Sequence, residues 1–394
     1  MNPELFRWAR ETAGLDVDAA AKALGIKSDK LEAVELGDAE PSRAQLLNMT
    51  KVYRRPLVTF YLPKPPARGE RGEDFRTLPP DRTLADDAVL DALVRDIRAR
   101  QALVRSLAED EEEAEPLPFI GSAKASGGAD AVLSSIKRTL QINLAEYRRQ
   151  KTADLAFNYL REKAESAGIF VLLMGNLGTH HSAIAVETFR GFAIADRFAP
   201  FIVINDQDAR AAWAFTLLHE AAHLWLGTTG ISGTSNEKAI ERFCNEVASR
   251  FLLPPGELAE LQIGSDTPTA RAIELVTAFA SGRFVSRRMV AYGLFKANKI
   301  DLATWRAFDS ALHALWLRDK ASQKAKAKEK ESDGPSYYVV KQHRLGRALL
   351  GFVKRSMGAG TLTPVKAAKV LGVKPRSVHP LLTTARPGGN GARG

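Results

Sequence analysis

The chain has 394 residues, of which 45% are hydrophobic and 26% are charged, a composition typical of a folded protein with two or three domains. A single cysteine, Cys244, excludes a framework of disulfides and favours the reducing cytoplasm. The stretch MNPELFRWARETAG lacks the pattern of a signal peptide, and no apolar run approaches the roughly 18 residues that a membrane span needs. We therefore expect a cytoplasmic protein with no membrane partner.

The net charge of +10 is concentrated in the last part of the chain. Residues 321–394 hold 15 Lys/Arg and 3 Asp/Glu, whereas the preceding residues hold 41 basic and 43 acidic side chains. Local positive charge of this kind favours a polyanionic partner such as nucleic acid. A solubilising tail is the alternative.

Short helices are predicted in residues 1–65. Apolar spacing and turn residues predict a helix over Val17–Leu24, a tight turn at Gly25 and a second helix over Ser28–Leu36, with Ser28 as the N-cap. A helix, a turn that contains glycine and a second helix form the helix-turn-helix arrangement. The segment resembles the Xre/Cro-type helix-turn-helix of phage repressors, which implies DNA binding.

The second helix of this unit is the one that would enter the DNA major groove. Its candidate nucleic-acid-binding residues are Lys27 and Lys30, because contacts to phosphates and base edges need cationic or amide side chains. They lie among four acidic residues, namely Asp29, Glu32, Glu35 and Asp38. DNA binding and a packing or dimerisation role therefore both stay open.

Residues 66–127 are predicted to be a linker followed by an amphipathic helix. The stretch PKPPARGERGEDFRTLPP (63–80) is rich in proline, glycine and charge, which is typical of a linker. A helix is predicted over about 84–107, and the acidic run EDEEEAEPLP after it is predicted to be a solvated loop.

Residues 128–318 are predicted to form an α+β domain that is mostly helical. A helical stretch over about 131–166 precedes the strand GIFVLLMG and a loop with His180 and His181. Two β-prone runs, FRGFAIAD and PFIVIND, follow, and beyond Pro255 the chain is helical again. A helical layer against a small sheet is the arrangement expected of these elements.

The stretch WAFTLLHEAAHLWLG holds two histidines, His219 and His223, with Glu220 between them. Residues four apart lie on one face of a helix, so both imidazoles can bind one metal ion. Glu220 points away from both and is placed to act as a general base on a water molecule, as in the zincin-like H-E-x-x-H pattern. The alternative is a core helix that carries two histidines without a metal.

A catalytic zinc needs a third protein ligand. The downstream stretch NEKAIERFCNEVASRFLLPP offers Glu237, Glu241 and Glu246. Glu241 and Asn245 share one helix face, so Glu241 can bind the metal while Asn245 orients a ligand histidine. Cys244 lies in an apolar stripe, which predicts a core residue; a soft metal ligand is the alternative.

Residues 319–335 are predicted to be a charged linker, and residues 336–394 a basic segment with a helix-turn-helix-like pattern. The stretch AKVLGVKPRSV (368–378) is similar to AKALGIKSDKL (21–31), although eleven residues can also match by chance. This copy has more cations than the first, which makes it the better candidate for DNA binding. These candidate residues are Lys366, Lys369, Lys374 and Arg376.

Two stretches together, RGFAIADRFAPFIVINDQDARAAWAFTLLHEAAHLWLG and IERFCNEVASRFLLPP, resemble the ImmA/IrrE family of metallopeptidases. The resemblance implies His219 and His223 as zinc ligands, Glu220 as general base, Glu241 as third ligand and Asn245 at an adjacent polar position. HEAAH replaces the usual HELGH, a change at packing positions only. DFRTL and the tail from YYVVKQHRLG resemble longer family members that join an Xre-like segment to the peptidase.

The resemblance implies a zinc-dependent endopeptidase that cleaves a partner transcriptional repressor, often of the Xre type, and so switches on a stress or mobile-element response. A fused DNA-binding segment would hold the enzyme near its DNA-bound substrate. The alternative is a DNA-binding regulator or an antitoxin-like protein that uses the peptidase fold to recognise a partner such as a toxin. A site of two histidines and a glutamate accepts Mn²⁺ or Zn²⁺, so Mn²⁺ is the alternative metal.

Overall fold

The structure is a computed structural model that describes residues 1–66, 84–110, 115–177, 182–228, 235–329 and 336–384. The DFRTL stretch and the loop histidines His180 and His181 lie outside the described residues. Within those ranges, α-helices and a three-stranded sheet form a mostly helical α+β fold, which confirms the predicted fold class. None of the described helices is long and apolar enough to cross a membrane.

Four short helices and a 3₁₀ helix form the N-terminal bundle (residues 1–66). They are α1 (Glu4–Glu11), α2 (Val17–Leu24), α3 (Ser28–Leu36), α4 (Arg43–Val52) and the 3₁₀ helix Leu57–Tyr61. Gly25 ends α2 in the left-handed region, at φ 70°, as a tight turn requires. The predicted cap of α3 is wrong: Lys27 is the N-cap, because the Ser28 hydroxyl instead donates a hydrogen bond to Asp18 Oδ1 at 2.6 Å.

The N-terminal bundle has a hydrophobic core of its own, which includes Phe6, Leu31 and Met49. A buried ion pair joins two of its helices, since Arg10 on α1 donates to both carboxylate oxygens of Glu35 on α3 at 2.7 and 2.9 Å. Glu35 therefore points into the bundle and contributes no negative charge to the exposed face of α3.

Helices α5 (Leu84–Asp110), α6 (Ala129–Leu140), α7 (Leu144–Arg148) and α8 (Ala153–Ser166) lead to the sheet. The helical stretch predicted over about 131–166 is divided into three helices by two polar caps. Asn143 accepts a hydrogen bond from the amide of Ala145 and starts α7, and Thr152 accepts one from Leu155 and starts α8.

The sheet contains β1 (Phe170–Leu173), β2 (Gly191–Ile194) and β3 (Phe201–Ile204) in the order β1-β3-β2. Strand β1 pairs with β3 in parallel, and β2 pairs with β3 antiparallel. Every strand residue is buried, because helices cover both faces. One face packs in the core that contains α9, and the other packs in the core that contains α5.

Within the described residues, eight α-helices follow the sheet. They are α9 (Arg210–Leu226), α10 (Ser235–Leu252), α11 (Thr269–Ser281), α12 (Arg287–Lys296), α13 (Leu302–Glu329), α14 (Tyr337–Gly358), α15 (Pro364–Leu371) and α16 (Val378–Thr383). The first part of the predicted linker 319–335 is helical, since α13 continues to Glu329. Its alternation of alanine and lysine has a high helix propensity.

The C-terminal segment (residues 336–384) packs directly on the sheet. Leu345 and Leu349 of α14 are fully buried in one core with Phe170 and Leu172 of β1. Helix α14 kinks at Gly346, which has φ 78° and ψ 168°. The segment therefore completes a layer of the sheet and has no separate core.

Candidate metal centre

Helix α9 is buried nearly all round, which is unusual for a helix that carries ionisable residues. It packs between the sheet and helices α6, α8 and α10. His219 and Glu220 have no exposed surface, and His223 is 2% exposed. Burial of three such groups in one turn of a helix costs folding free energy unless they have partners, so their presence indicates a site.

The imidazoles of His219 and His223 converge on the carboxylate of Glu241. The two Nε2 atoms are 3.2 Å apart. Glu241 Oε2 is 3.3 Å from Nε2 of His219, and Glu241 Oε1 is 3.3 Å from Nε2 of His223. Metal–ligand bonds of about 2.0–2.1 Å place tetrahedral ligands roughly 3.3 Å apart, so these three residues are spaced to hold one metal ion.

Glu241 reaches this position because α10 packs along α9. On the inner face of α10, Cys244 and Val247 are buried in the main core, as the apolar stripe predicts. The Glu241 side chain is 23% exposed, so the centre opens to solvent on the side of α10. Glu246 is exposed and accepts hydrogen bonds from Arg250, so it does not belong to the site.

Glu220 lies against the first residue of strand β2. A Cβ atom at Gly191 would lie 2.8 Å from Glu220 Oε1 and 2.5 Å from Cγ2 of Thr216, both too close for any side chain. Gly191 and Thr216 therefore determine the space in which the carboxylate of Glu220 lies. This role of Gly191 was not predicted from the sequence, although a glycine in a strand often marks such a close approach.

Thr228 is a second residue that sequence reasoning missed. It follows the Gly227 cap of α9, and its hydroxyl lies 3.1 Å from Nδ1 of His223. With Nε2 turned to the metal position, Nδ1–H can donate to that hydroxyl and hold the ring in place. Asn245 was expected to orient a histidine, but among the described residues it hydrogen-bonds neither His219 nor His223.

Residues 164–285 match the IrrE N-terminal-like domain of peptidase family M78. The chain carries an IrrE-like peptidase domain. Residues 4–59 match a helix-turn-helix domain, so both halves of the resemblance seen in the sequence are confirmed. No curated protein and no solved structure matches the chain. The IrrE-like domain contains α9 and α10, and with them every residue of the metal centre.

The candidate nucleic-acid-binding residues precede and follow the IrrE-like domain in the sequence. Lys27 and Lys30 are exposed at the start of α3, beside the exposed Asp29 and Glu32. The four C-terminal cations are also exposed, on α15 and the 3₁₀ helix Pro375–Ser377 after it; they are Lys366, Lys369, Lys374 and Arg376. That any of these six residues binds DNA stays a prediction.

Proposed function

We propose that this protein is a zinc-dependent endopeptidase that cleaves a partner transcriptional repressor. The spacing of 3.2–3.3 Å among the ligand atoms of His219, His223 and Glu241 carries the proposal. Zinc accepts two imidazoles and a carboxylate as ligands and leaves one position open for chemistry. Manganese fits the same donors, so metal analysis forms part of the test.

A bound metal ion would supply the Lewis acidity that polarises a peptide carbonyl and acidifies an attacking water. Glu220 would take the proton from that water at a carboxylate oxygen and deliver it to the leaving amine. Its position beside Gly191 keeps the carboxylate in one place, which a general base requires. The partly exposed side of the centre, near Glu241, gives a peptide substrate access to the metal position.

The match of residues 4–59 to a helix-turn-helix domain supports the proposal that the substrate is a DNA-bound protein. A repressor of the Xre type is the substrate that the family resemblance implies. Binding to the same DNA or to the repressor itself would raise the local concentration of the substrate without new contacts at the metal centre. Cleavage would then switch on a stress or mobile-element response in the cytoplasm.

Co-expression with candidate Xre-type repressors tests this proposal, with Glu220→Gln as the inactive variant. We expect wild-type protein to release repressor fragments and Glu220→Gln to release none, while both purified proteins retain one equivalent of metal. Gly191→Ala should lower cleavage at least about tenfold, because the methyl group displaces the base. A Glu220→Gln variant that cleaves normally would contradict the proposal.

The second candidate is a DNA-binding regulator or an antitoxin-like protein that uses the peptidase fold for recognition. The exposed cations of α15 and the helix-turn-helix match favour it. This candidate predicts that Glu220→Gln preserves the biological response, whereas Lys366→Glu with Lys369→Glu abolishes it. A nuclease-like toxin encoded next to this protein would point to the antitoxin form, and a small Xre repressor to the peptidase.

A further inference from the structure

A cavity of about 470 Å³ lies between α5 and the C-terminal segment. Residues of α5 and of the α15 region line it, among them Asp96, Arg100, Leu103, Val365, Lys369 and Gly372. Most of the remaining lining is apolar. Neither helix supplies a residue of the metal centre, so the cavity is a separate place on the molecule.

Arg100 is buried in the wall of this cavity with incomplete hydrogen bonding. It is 5% exposed, and its Nη2 donates to Asp96 at 2.6 Å. Its Nε and Nη1 atoms are buried and have no hydrogen-bond partner among the described residues. Buried arginine nitrogens are normally paired, so two nitrogens of this cationic group lack an acceptor within the part of the chain that the structure describes.

Gly372 leaves the space that the Arg100 guanidinium occupies beside the backbone. It ends α15 in the left-handed region, at φ 60°, and a Cβ at this residue would overlap the guanidinium. Any other residue at position 372 would both strain the backbone and displace Arg100. The close approach of backbone and arginine therefore depends on glycine at this position.

The surroundings of Arg100 contain more positive than negative charge. Lys369 of α15 lines the cavity, and Lys341 of α14 is close enough to be affected by the guanidinium. Burial, reinforced by the charges of Arg100 and Arg344, lowers the pKa of Lys341 to about 8. Two acids oppose these cations: Asp96 is bonded to Arg100, and Asp206 forms an ion pair with Arg344 at 2.7 Å.

We propose that this cavity binds a small amphiphilic anion, with a carboxylate or phosphate group at Arg100 and Lys369 and an apolar body against Leu103 and Val365. An anionic oxygen would provide the acceptor that the buried guanidinium lacks. The apolar lining would cover the rest of the ligand, as in most small-molecule sites. The bound ligand would join α5 to the C-terminal segment.

Isothermal titration calorimetry on the full chain tests the proposal with octanoate and octyl phosphate, which share the apolar body and differ in the anionic group. We expect one site per chain for at least one of them, and a rise in melting temperature at saturation. The matched probes octanol and octyltrimethylammonium should bind at least about tenfold more weakly, because a charged hydrogen bond is lost. Inorganic phosphate should also bind more weakly, because it lacks the apolar body.

Two lysines of α15 provide a matched pair of variants. Lys369→Gln removes a cation from the cavity wall, whereas Lys366→Gln removes an exposed cation from the same helix that does not line the cavity. We expect Lys369→Gln to weaken the binding of octanoate and octyl phosphate about fivefold or more, and Lys366→Gln to leave the affinity for these two probes unchanged. Arg100→Gln should weaken them further, with folding checked by circular dichroism.

Three results would overturn the proposal. The first is that wild-type protein binds neither anion. The second is that octanol binds as well as octanoate, which would mean that the site is apolar only. The third is that Lys369→Gln and Lys366→Gln bind alike, which would place the anion elsewhere on the basic surface.

Discussion

The N-terminal bundle and the C-terminal segment contain similar stretches, AKALGIKSDKL at residues 21–31 and AKVLGVKPRSV at 368–378, in different surroundings. Each forms a helix that ends at a left-handed glycine, Gly25 at φ 70° or Gly372 at φ 60°. The corresponding apolar residues are buried in both places, Leu31 in one and Val378 in the other. Local structure is therefore shared between the two ends of the chain.

What differs is the partner of the buried face. In the N-terminal bundle the apolar residues pack on one another around Phe6 and Met49. In the C-terminal segment the same positions pack against α5 and form one core with the sheet. A helix-turn-helix-like pattern thus predicts the helices and the turn, but it does not predict whether the unit stands alone.

The largest expected difference is in the stability of the remaining chain after deletion of the C-terminal segment or of the N-terminal bundle. Removal of residues 336–394 would expose the face of the sheet that contains Phe170, Leu172 and Phe201. The segment also contributes many apolar side chains of its own to this core. At about 1.5–3 kcal/mol for each large buried side chain, the total loss exceeds the usual stability of a domain, roughly 5–15 kcal/mol. We expect no cooperative thermal unfolding of the remaining chain, measured by circular dichroism.

Removal of residues 1–66 is the matched control, because the N-terminal bundle has its own core. We expect that deletion to leave a cooperative transition and metal binding in the rest of the protein. Equal tolerance of both deletions would show that the C-terminal segment is as independent as the N-terminal bundle.

Gly346→Ala should give the next largest loss of stability, because Gly346 lies where the C-terminal segment contacts the rest of the domain. Arg161 donates to the carbonyls of Val171 and His343, and Glu165 accepts from the amide of Arg347. A Cβ at Gly346 would lie 2.7 Å from Nη2 of Arg161 and would overlap the carboxylate of Glu165. We expect a loss of about 3 kcal/mol or more in the free energy of unfolding, measured with urea.

Gly360→Ala separates the overlap from the backbone strain. Gly360 also has a positive φ, 76°, but a Cβ there would meet no atom within 4 Å. Its substitution should cost only about 1 kcal/mol. If both variants lose the same stability, the overlap of the added Cβ atom with Arg161 and Glu165 has no cost, and the close packing at Gly346 does not hold the segment in place.

The last expected effect is a pH dependence of stability that comes from Lys341 on α14. Burial lowers the pKa of Lys341 to about 8 in the folded protein, below the value of about 10.4 in an unfolded chain. Between these values the unfolded chain binds more protons, so stability should increase as the pH rises from about 8 to 10. Lys341→Met should be more stable than wild type at pH 7. Its free energy of unfolding should also increase less steeply with pH between about 8 and 10 than that of wild type.

Urea denaturation from pH 7 to 10 measures this contribution, with Lys366→Met as the exposed control. Lys366 lies on the surface of α15, so its replacement should keep the wild-type slope. Identical slopes for wild type and Lys341→Met would contradict the assignment of the effect to Lys341.

The metal centre shows which residues of a site a short stretch of sequence can predict. The helix that holds His219 and His223 was predicted from the spacing of the two residues, because an i, i+4 pair lies on one face wherever the helix packs. Glu241 was predicted as a ligand on a separate helix, and the structure places it 3.3 Å from both histidines. Gly191 and Thr228 were not predicted, because each acts on a residue that only folding brings close.

Propensities and periodicities within a few residues were enough to predict most of the helices, the buried strands and the chemistry of the motif helix. The inward turn of Glu35 to Arg10, the room that β2 leaves for Glu220, and the cover of the sheet by the C-terminal segment depend on the packing of the folded chain. They could not be predicted locally because hydrophobic burial is not directional. An apolar face indicates that something must cover it, and the packing of the whole chain decides what does.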